Sequence, residues 1–195
     1  MQVKIKTKWD LSVFYKSVDD PKIDKDMRHI DALFSKFEKT YKNDDKFLKN
    51  ENSLLKALDE YESILKSGYD LPIRFLSYSR DLNSSDSRIV AKLNLISQQL
   101  SKISNKLVFF DVMLSKIDKQ NQAIFLKSEK LKKYQYLLEK TFKAAKYVLS
   151  EKEEKILALK TITSSEMWEN LTEKLISKAT VVHMGRKIGV NEATN

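Results

Sequence analysis

IVAKLNLISQQLSKISNKLVFFDVMLSKI, residues 89–117, is the stretch on which the fold turns. Ile89, Leu93, Ile96, Leu100, Ile103, Leu107, Phe110, Leu114 and Ile117 follow one another at alternating steps of four and three. A repeat of 3.5 residues sustained over four heptads predicts one long helix with a narrow apolar seam, residues 86–118. At a rise of ~1.5 Å per residue such a helix runs about 50 Å. Each seam side chain contributes roughly 1.5–3 kcal/mol when it leaves water. A helix carrying such a seam therefore needs a neighbour. Packing inside one chain is the reading adopted, because the flanking segments carry apolar stripes of their own. Dimerisation through the seam is the alternative.

The segments upstream support that reading. Val3, Ile5 and Thr7 alternate with lysines, as in a short extended arm, and an aromatic anchor follows at Trp9, Phe14 and Tyr15. Asp20-Pro21 is an N-cap followed by proline at the first helical position. Ile23, Met27, Ile30, Phe34, Phe37 and Tyr41 then mark a helix over 21–42. A second helix is expected over 53–67 on Leu54, Leu58, Tyr61 and Leu65, with Gly68 closing it. Asp70-Leu71-Pro72 restarts the chain into a short helix holding Phe75, Leu76 and Tyr78.

Downstream, residues 121–126 read as a short helix. Ser128 caps another over 129–147, with Leu131, Tyr134, Leu138, Phe142 and Ala145 on one face. LSEKEEKIL, residues 149–157, poses a chemical question, since clustered glutamates can hold a metal or move protons. Ser150 followed three residues later by Glu153 is a capping box, and Glu151 and Glu154 fall in the first turn, where the helix dipole favours anions. Those acids start a helix, with Ile156, Leu157 and Leu159 as its buried side. A last helix over 165–177 is expected to bury Trp168, Leu171 and Leu175. TVVHM, then Gly185-Arg186, then KIGV read as a small hairpin, and residues 191–194 look like the start of another helix. The fold class expected is all-α, a bundle of about seven to eight helices plus a small C-terminal β-hairpin. Its division is a helical domain over 1–178 and a hairpin with the start of a further region over 179–195.

Composition bounds the function. With 3 Gly, 2 Pro and 42% apolar residues in a chain of 195, the sequence suits helices and a sizeable core. There is no cysteine, which excludes disulfides and thiolate chemistry. No apolar run reaches the roughly 18 residues of a membrane span, and the expectation is a cytoplasmic protein with no membrane partner. The net charge of +9 raises the question of nucleic acid. The excess is almost all lysine, spread among acids, with arginine only at 28, 74, 80, 88 and 186, so nucleic acid is not expected as a partner. The two histidines, His29 and His183, are far apart in sequence and in no H-E-x-x-H pair. No catalytic, cofactor-binding or metal-binding residue is assigned in this chain.

The order of motifs carries a resemblance. Trp9-Asp10-Leu11-Ser12 precedes the Asp20-Pro21 helix start. Phe37 and Tyr41 follow, then Tyr61-Glu62, Tyr78 to Asp81, Phe109-Phe110, the Leu149–Glu154 stretch and Trp168 to Leu171 before the hairpin. This order resembles the N-terminal helical region of the oligoendopeptidase F family, zinc metalloendopeptidases of the thimet type. The resemblance implies a catalytic domain downstream, carrying zinc on H-E-x-x-H and a distant glutamate and cleaving short peptides. It further implies that the helical region is part of the wall or lid of a deep substrate channel. The 195 residues contain no zinc motif. The chain is therefore expected to be an N-terminal portion, inactive alone, with the missing catalytic domain as its partner, short peptides as substrates of the whole enzyme, and self-association of the truncated chain. The alternative from another class is a stand-alone helical adaptor that binds a partner helix or dimerises through the 89–117 seam.

Overall fold

The computed structural model describes residues 9–84 and 86–190, and the side chains of Ile162 and Glu166 are not among the described groups. The extended arm expected at 3–7 and the helix start at 191–194 lie outside the described residues. The first helix, α1 (Pro21–Tyr41), begins where the sequence places it, with the Asp20 carboxylate accepting from the Lys22 N–H. Its six predicted core positions, from Ile23 to Tyr41, are all buried. A 3₁₀ turn at Lys46–Leu48 inserts Phe47, and α2 (Glu51–Lys66) follows, capped by Asn50 through the Ser53 N–H. In α2 the core takes Ile64 and Ala57, while Leu65 faces out. Gly68, at φ +76°, joins α2 to α3 (Leu71–Leu82), and a Cβ there would meet Leu71 Cδ1 at 2.8 Å. Only glycine both adopts that φ without strain and leaves the space.

The 86–118 helix is not continuous. It is α4 (Ser87–Ser104) and α5 (Val108–Ser115), with a break at 105–107. Every seam residue from Ile89 to Ile117 is nonetheless buried. The break reconciles a 3.5-residue pattern with a straight helix. An α-helix drifts about 20° per heptad from that pattern, or about 80° over four heptads. At the break Lys106, Leu107 and Phe110 donate to carbonyls three residues back, Ile103, Ser104 and Leu107. A 3₁₀ turn advances about 20° more per residue than an α-helix, so three residues recover about 60° of the drift. The kink thus does the work of a supercoil. Because α4 packs on α1 and α3 within the chain, no seam is left for a partner helix, and the adaptor or dimer through residues 89–117 is overturned.

Next come α6 (Lys119–Lys127), capped by Asp118, and α7 (Gln135–Ala144). The helix expected over 129–147 is shorter, with 3₁₀ turns at Lys132–Tyr134 and Ala145–Tyr147 on either side of α7. Ser128 Oγ does accept from the Leu131 N–H at 3.2 Å, and Leu131, Tyr134, Leu138 and Phe142 are buried. Phe142 is the last buried residue among those described. The remainder is an arm of α8 (Glu151–Thr161), a π-helical turn at Ile162–Glu166, and α9 (Met167–Lys178). The strands β1 (Thr180–His183) and β2 (Arg186–Gly189) close it as an antiparallel hairpin.

The capping box forms: Ser150 N donates to Glu153 Oε2 at 2.9 Å and Glu153 N to Ser150 Oγ at 3.4 Å. The buried sides assigned to the two arm helices do not. Ile156, Leu157 and Leu159 are exposed, as are Trp168 at 66%, Leu171 and Leu175. Periodicity found the apolar face but not whether anything covers it. The all-α class with a terminal hairpin holds.

Leu100 is 6% exposed in the middle of the seam, while Lys102 is at the surface. Leu100→Asp is expected to lose most of the total stability of about 5–15 kcal/mol, and Lys102→Asp to change it by under about 0.5 kcal/mol. Urea unfolding followed by circular dichroism checks both, and equal midpoints for Leu100→Asp and the parent would contradict a buried seam.

Candidate functional site

The bundle and the arm enclose a cleft of about 830 Å³. One wall is α4, whose core-facing Leu93, Ile96 and Leu100 anchor it and whose other face presents Asn94, Ser97, Gln98 and Ser101. These lie three and four residues apart, which puts them on one side of a helix. The opposite wall is the arm, with Ala158 and Leu159 from α8 and Met167 and Asn170 from α9. Tyr69 and Ile73 also line it. A volume of this order suits a small-molecule or peptide ligand.

Arg80 ties the two walls together. Its Nη1 donates to Asn170 Oδ1 at 2.9 Å, and its Nη2 stands 3.5 Å from Glu173 Oε2 and 3.1 Å from Asp81 Oδ1. A planar guanidinium can serve three partners from one fork, which a lysine cannot. The arm is also held at its start. Glu151 bonds Lys155 at 2.6 Å and stands 3.7 Å from Lys42, and these lysines hold its carboxyl below the usual range. The glutamates of residues 149–157 are thus spent on capping and ion pairing.

A second polar cluster lies between α2 and the 3₁₀ turn before α7. The Tyr134 hydroxyl donates to Asp59 Oδ1 at 2.7 Å and lies 2.9 Å from Glu62 Oε2. The Lys133 ammonium donates to Glu62 and to Asp59. Hydrogen bonding from Lys133, then from Lys66 and Tyr134, holds the Glu62 carboxyl down to about 2. Burial, joined by the two carboxylates, pushes the Tyr134 hydroxyl up to about 12. Every group in the cluster has a partner and stays in its ordinary charge state at neutral pH. The arrangement clamps the turn onto α2 and offers no poised acid or base.

The two histidines stay apart, His29 exposed on α1 and His183 exposed on β1. Among the described residues no three His, Asp or Glu side chains come together to hold a metal ion. Among the described residues no helix is long and apolar enough to cross a membrane. The sequence signals singled out for chemistry turn out to be caps and clamps. The cleft itself was not foreseen, although the uncharged face of α4 was legible as the longest run without a charged residue, 93–101.

The motifs that carry the family resemblance are structural. Trp9 meets Tyr78 edge-on at 5.4 Å, and Phe37, Tyr41, Tyr61 and Phe109 surround Phe110. The profile of a family described as Oligopeptidase F matches residues 114–180. A curated protein of Borreliella burgdorferi named Oligoendopeptidase F homolog is 27% identical over 157 residues, 77% of this chain. The chain spans about a quarter (24%) of that relative's length. No solved structure matches. The resemblance to the N-terminal region of the oligoendopeptidase F family is borne out by both comparisons.

Glu62 supplies a pH dependence that can be measured. A carboxyl held at about 2, against an ordinary value of 4.5, favours the folded state above pH 4.5, and that contribution is lost as the pH falls toward 2. In Glu62→Gln the loss of stability between pH 5 and pH 2.5 is expected to be shallower than in the parent. Parallel urea titrations across this range decide, and identical slopes would show that the cluster does not hold the glutamate.

Proposed function

We propose that this chain is the N-terminal substrate-channel wall, or lid, of an oligopeptide-cleaving zinc metalloendopeptidase. In this reading the zinc and the catalytic groups belong to residues outside the 195. The contribution of this chain is to enclose the site, admit short unfolded peptides and keep folded proteins out. The enzyme acts in the cytoplasm.

One observation carries the reading beyond the family likeness. The apolar residues of the arm, among them Ile156, Trp168, Leu175, Val182 and Met184, stand in solvent along a segment with no buried residue among those described. Such a surface is costly in water and suits contact with a further domain, since contacts between domains of one chain resemble protein–protein interfaces. Residues 114–180, matched by the family profile, end within the hairpin's first strand and so take in both arm helices.

The chain alone is expected to cleave no quenched-fluorescent oligopeptide and to retain no stoichiometric zinc after dialysis. The reading frame past Asn195 is expected to encode H-E-x-x-H. Chelator-sensitive peptidase activity in the isolated chain, or a stop codon with no such motif, overturns the proposal.

The bare arm has a second consequence. Among the described residues each strand of the hairpin pairs only with the other, and Val181, Val182 and Met184 are exposed, which invites pairing with another copy. The net charge of +9 opposes this, and moderate salt screens it. Light scattering is expected to show association that rises with concentration and salt in the full chain and is absent in a version ending at Lys178. Monomers under every condition would remove the argument from the exposed hairpin.

A further inference from the structure

The solvent face of α7 carries a pattern that the packing of the bundle does not use. Lys133, Tyr136, Lys140, Lys143 and Tyr147 follow one another at steps of three, four, three and four, which sets them in one row along a helix. The row lies opposite Leu138 and Phe142, the buried side of α7. Tyr136 is 69% exposed and Tyr147 73%, the two barest aromatic rings among the described residues. Each has a lysine ammonium over it: Lys140 Nζ is 5.0 Å from the Tyr136 ring centroid and Lys146 Nζ 4.8 Å from that of Tyr147. The attraction of a cation to one face steadies the ring and leaves its other face to solvent.

Residues 132–147 hold five lysines and one acid, Glu139, a net charge of +4. Part of that charge is engaged. Lys133 is spent on Glu62 and Asp59, Lys132 stands 3.4 Å from Glu129, and Lys143 stands 4.0 Å from Glu139. Lys140 and Lys146 have no carboxylate within ion-pair distance among the described residues. Exposed pairs such as those of Lys132 and Lys143 are weak enough to yield to a phosphate. The acids that follow, Glu151, Glu153 and Glu154, are tied to Lys155 and Lys42 and to the backbone at Ser150 and Leu149.

We propose that this row binds a single-stranded nucleic acid, with bases stacked on Tyr136 and Tyr147 and phosphates meeting Lys140, Lys143 and Lys146. Rings interleaved with cations hold single strands without reading their sequence, since every base has a face to stack. A duplex keeps its bases stacked on one another and offers these rings little. The row contains no arginine, and a lysine gives a phosphate a point charge without the fork that reads a guanine edge, so no sequence preference is expected. An anionic membrane is a poorer match, because the row has no Trp, Phe or Leu to enter the acyl region. From Tyr136 to Tyr147 the row runs about 16 Å at ~1.5 Å per residue, which is about five nucleotides at ~3.4 Å each. Along the chain the lysines are spread among acids; the fold lines these up on one face. The inference is independent of the peptidase reading.

The test uses the full 195-residue chain and fluorescence anisotropy with a labelled oligodeoxythymidine of about 12 nucleotides, long enough to cover the row. Saturable binding is expected at about 50 mM salt, and three phosphate contacts give log K a slope of about −2 against log salt. Lys140→Gln/Lys146→Gln is expected to weaken binding and to bring the slope to about −0.7. Tyr136→Ser/Tyr147→Ser is expected to weaken it at least about tenfold with the slope kept. Lys36→Gln/Lys39→Gln removes the same charge from α1 and is expected to change binding by less than about twofold. All six side chains are exposed, so the variants are expected to fold, with circular dichroism as the check. Four results overturn the inference: no saturable binding at low salt, ring variants that bind as the parent does, an α1 control that loses as much as Lys140→Gln/Lys146→Gln, or a duplex of the same length bound as tightly as the single strand. Phosphatidylserine vesicles that take up the chain while the oligonucleotide stays unbound overturn it as well, and assign the row to a membrane surface.

Discussion

Phe110 is the residue on which the packing of this chain converges. Its ring is fully buried and lies 5.0 Å from Phe37, 5.0 Å from Tyr61 and 5.3 Å from Phe47, with Tyr41 and Phe109 slightly farther. Those partners come from α1, α2, the 3₁₀ turn at Lys46–Leu48 and α5 itself. One side chain thus joins α5 to three consecutive elements that lie far upstream in the sequence. Aromatic pairs add about 0.5–1.5 kcal/mol beyond the area they bury, and a large residue lost from such a centre typically costs about 3–5 kcal/mol. The Phe110 N–H also donates to Leu107 in the turn that breaks the long helix. The kink therefore aims this ring as well as rephasing the seam.

From this centre outward the molecule changes character. Around Phe110 the apolar side chains are covered, and polar contacts at the edge of the core act as clamps. Lys106, in the break, bonds Asp31 and the Ser35 hydroxyl on α1. Tyr15, buried against Phe75, donates to Asp26 at 2.9 Å and brings the N-terminal anchor onto the bundle. Past Phe142 the balance reverses. The arm is held by Arg80, by Lys42 with Glu151, and by the packing of α8 on α4 and α5. Surface ion pairs of this kind are each worth about 0–1 kcal/mol. The buried core thus carries an arm with no fully covered apolar side chain among its described groups, and the cleft lies where the two meet.

That division gives the functional reading its physical form. In the proposed reading the core is the scaffold of a channel wall and the uncovered arm is the face for the domain it meets. The acids of residues 149–157 and the Asp59–Glu62 pair serve as a helix cap and a clamp.

What the sequence determined by itself was local and periodic. The Asp20-Pro21 start, the Ser150–Glu153 capping box, Gly68 between two helices and the hairpin around Gly185 all depend on residues within a few positions of one another, so spacing alone reveals them. The seam of residues 89–117 also proved buried throughout. Tertiary structure decided what spacing does not encode. It broke that seam at 105–107, because a straight helix could not keep a 3.5-residue pattern facing α1 and α3 over its whole length. It chose Ile64 over Leu65 in α2, since two adjacent apolar residues differ only in which neighbour they meet. It left Trp168, Leu171 and Leu175 in water, although their periodicity is as regular as that of α1. A hydrophobic stripe states that a face prefers cover; only the arrangement of the other helices determines whether the cover is there.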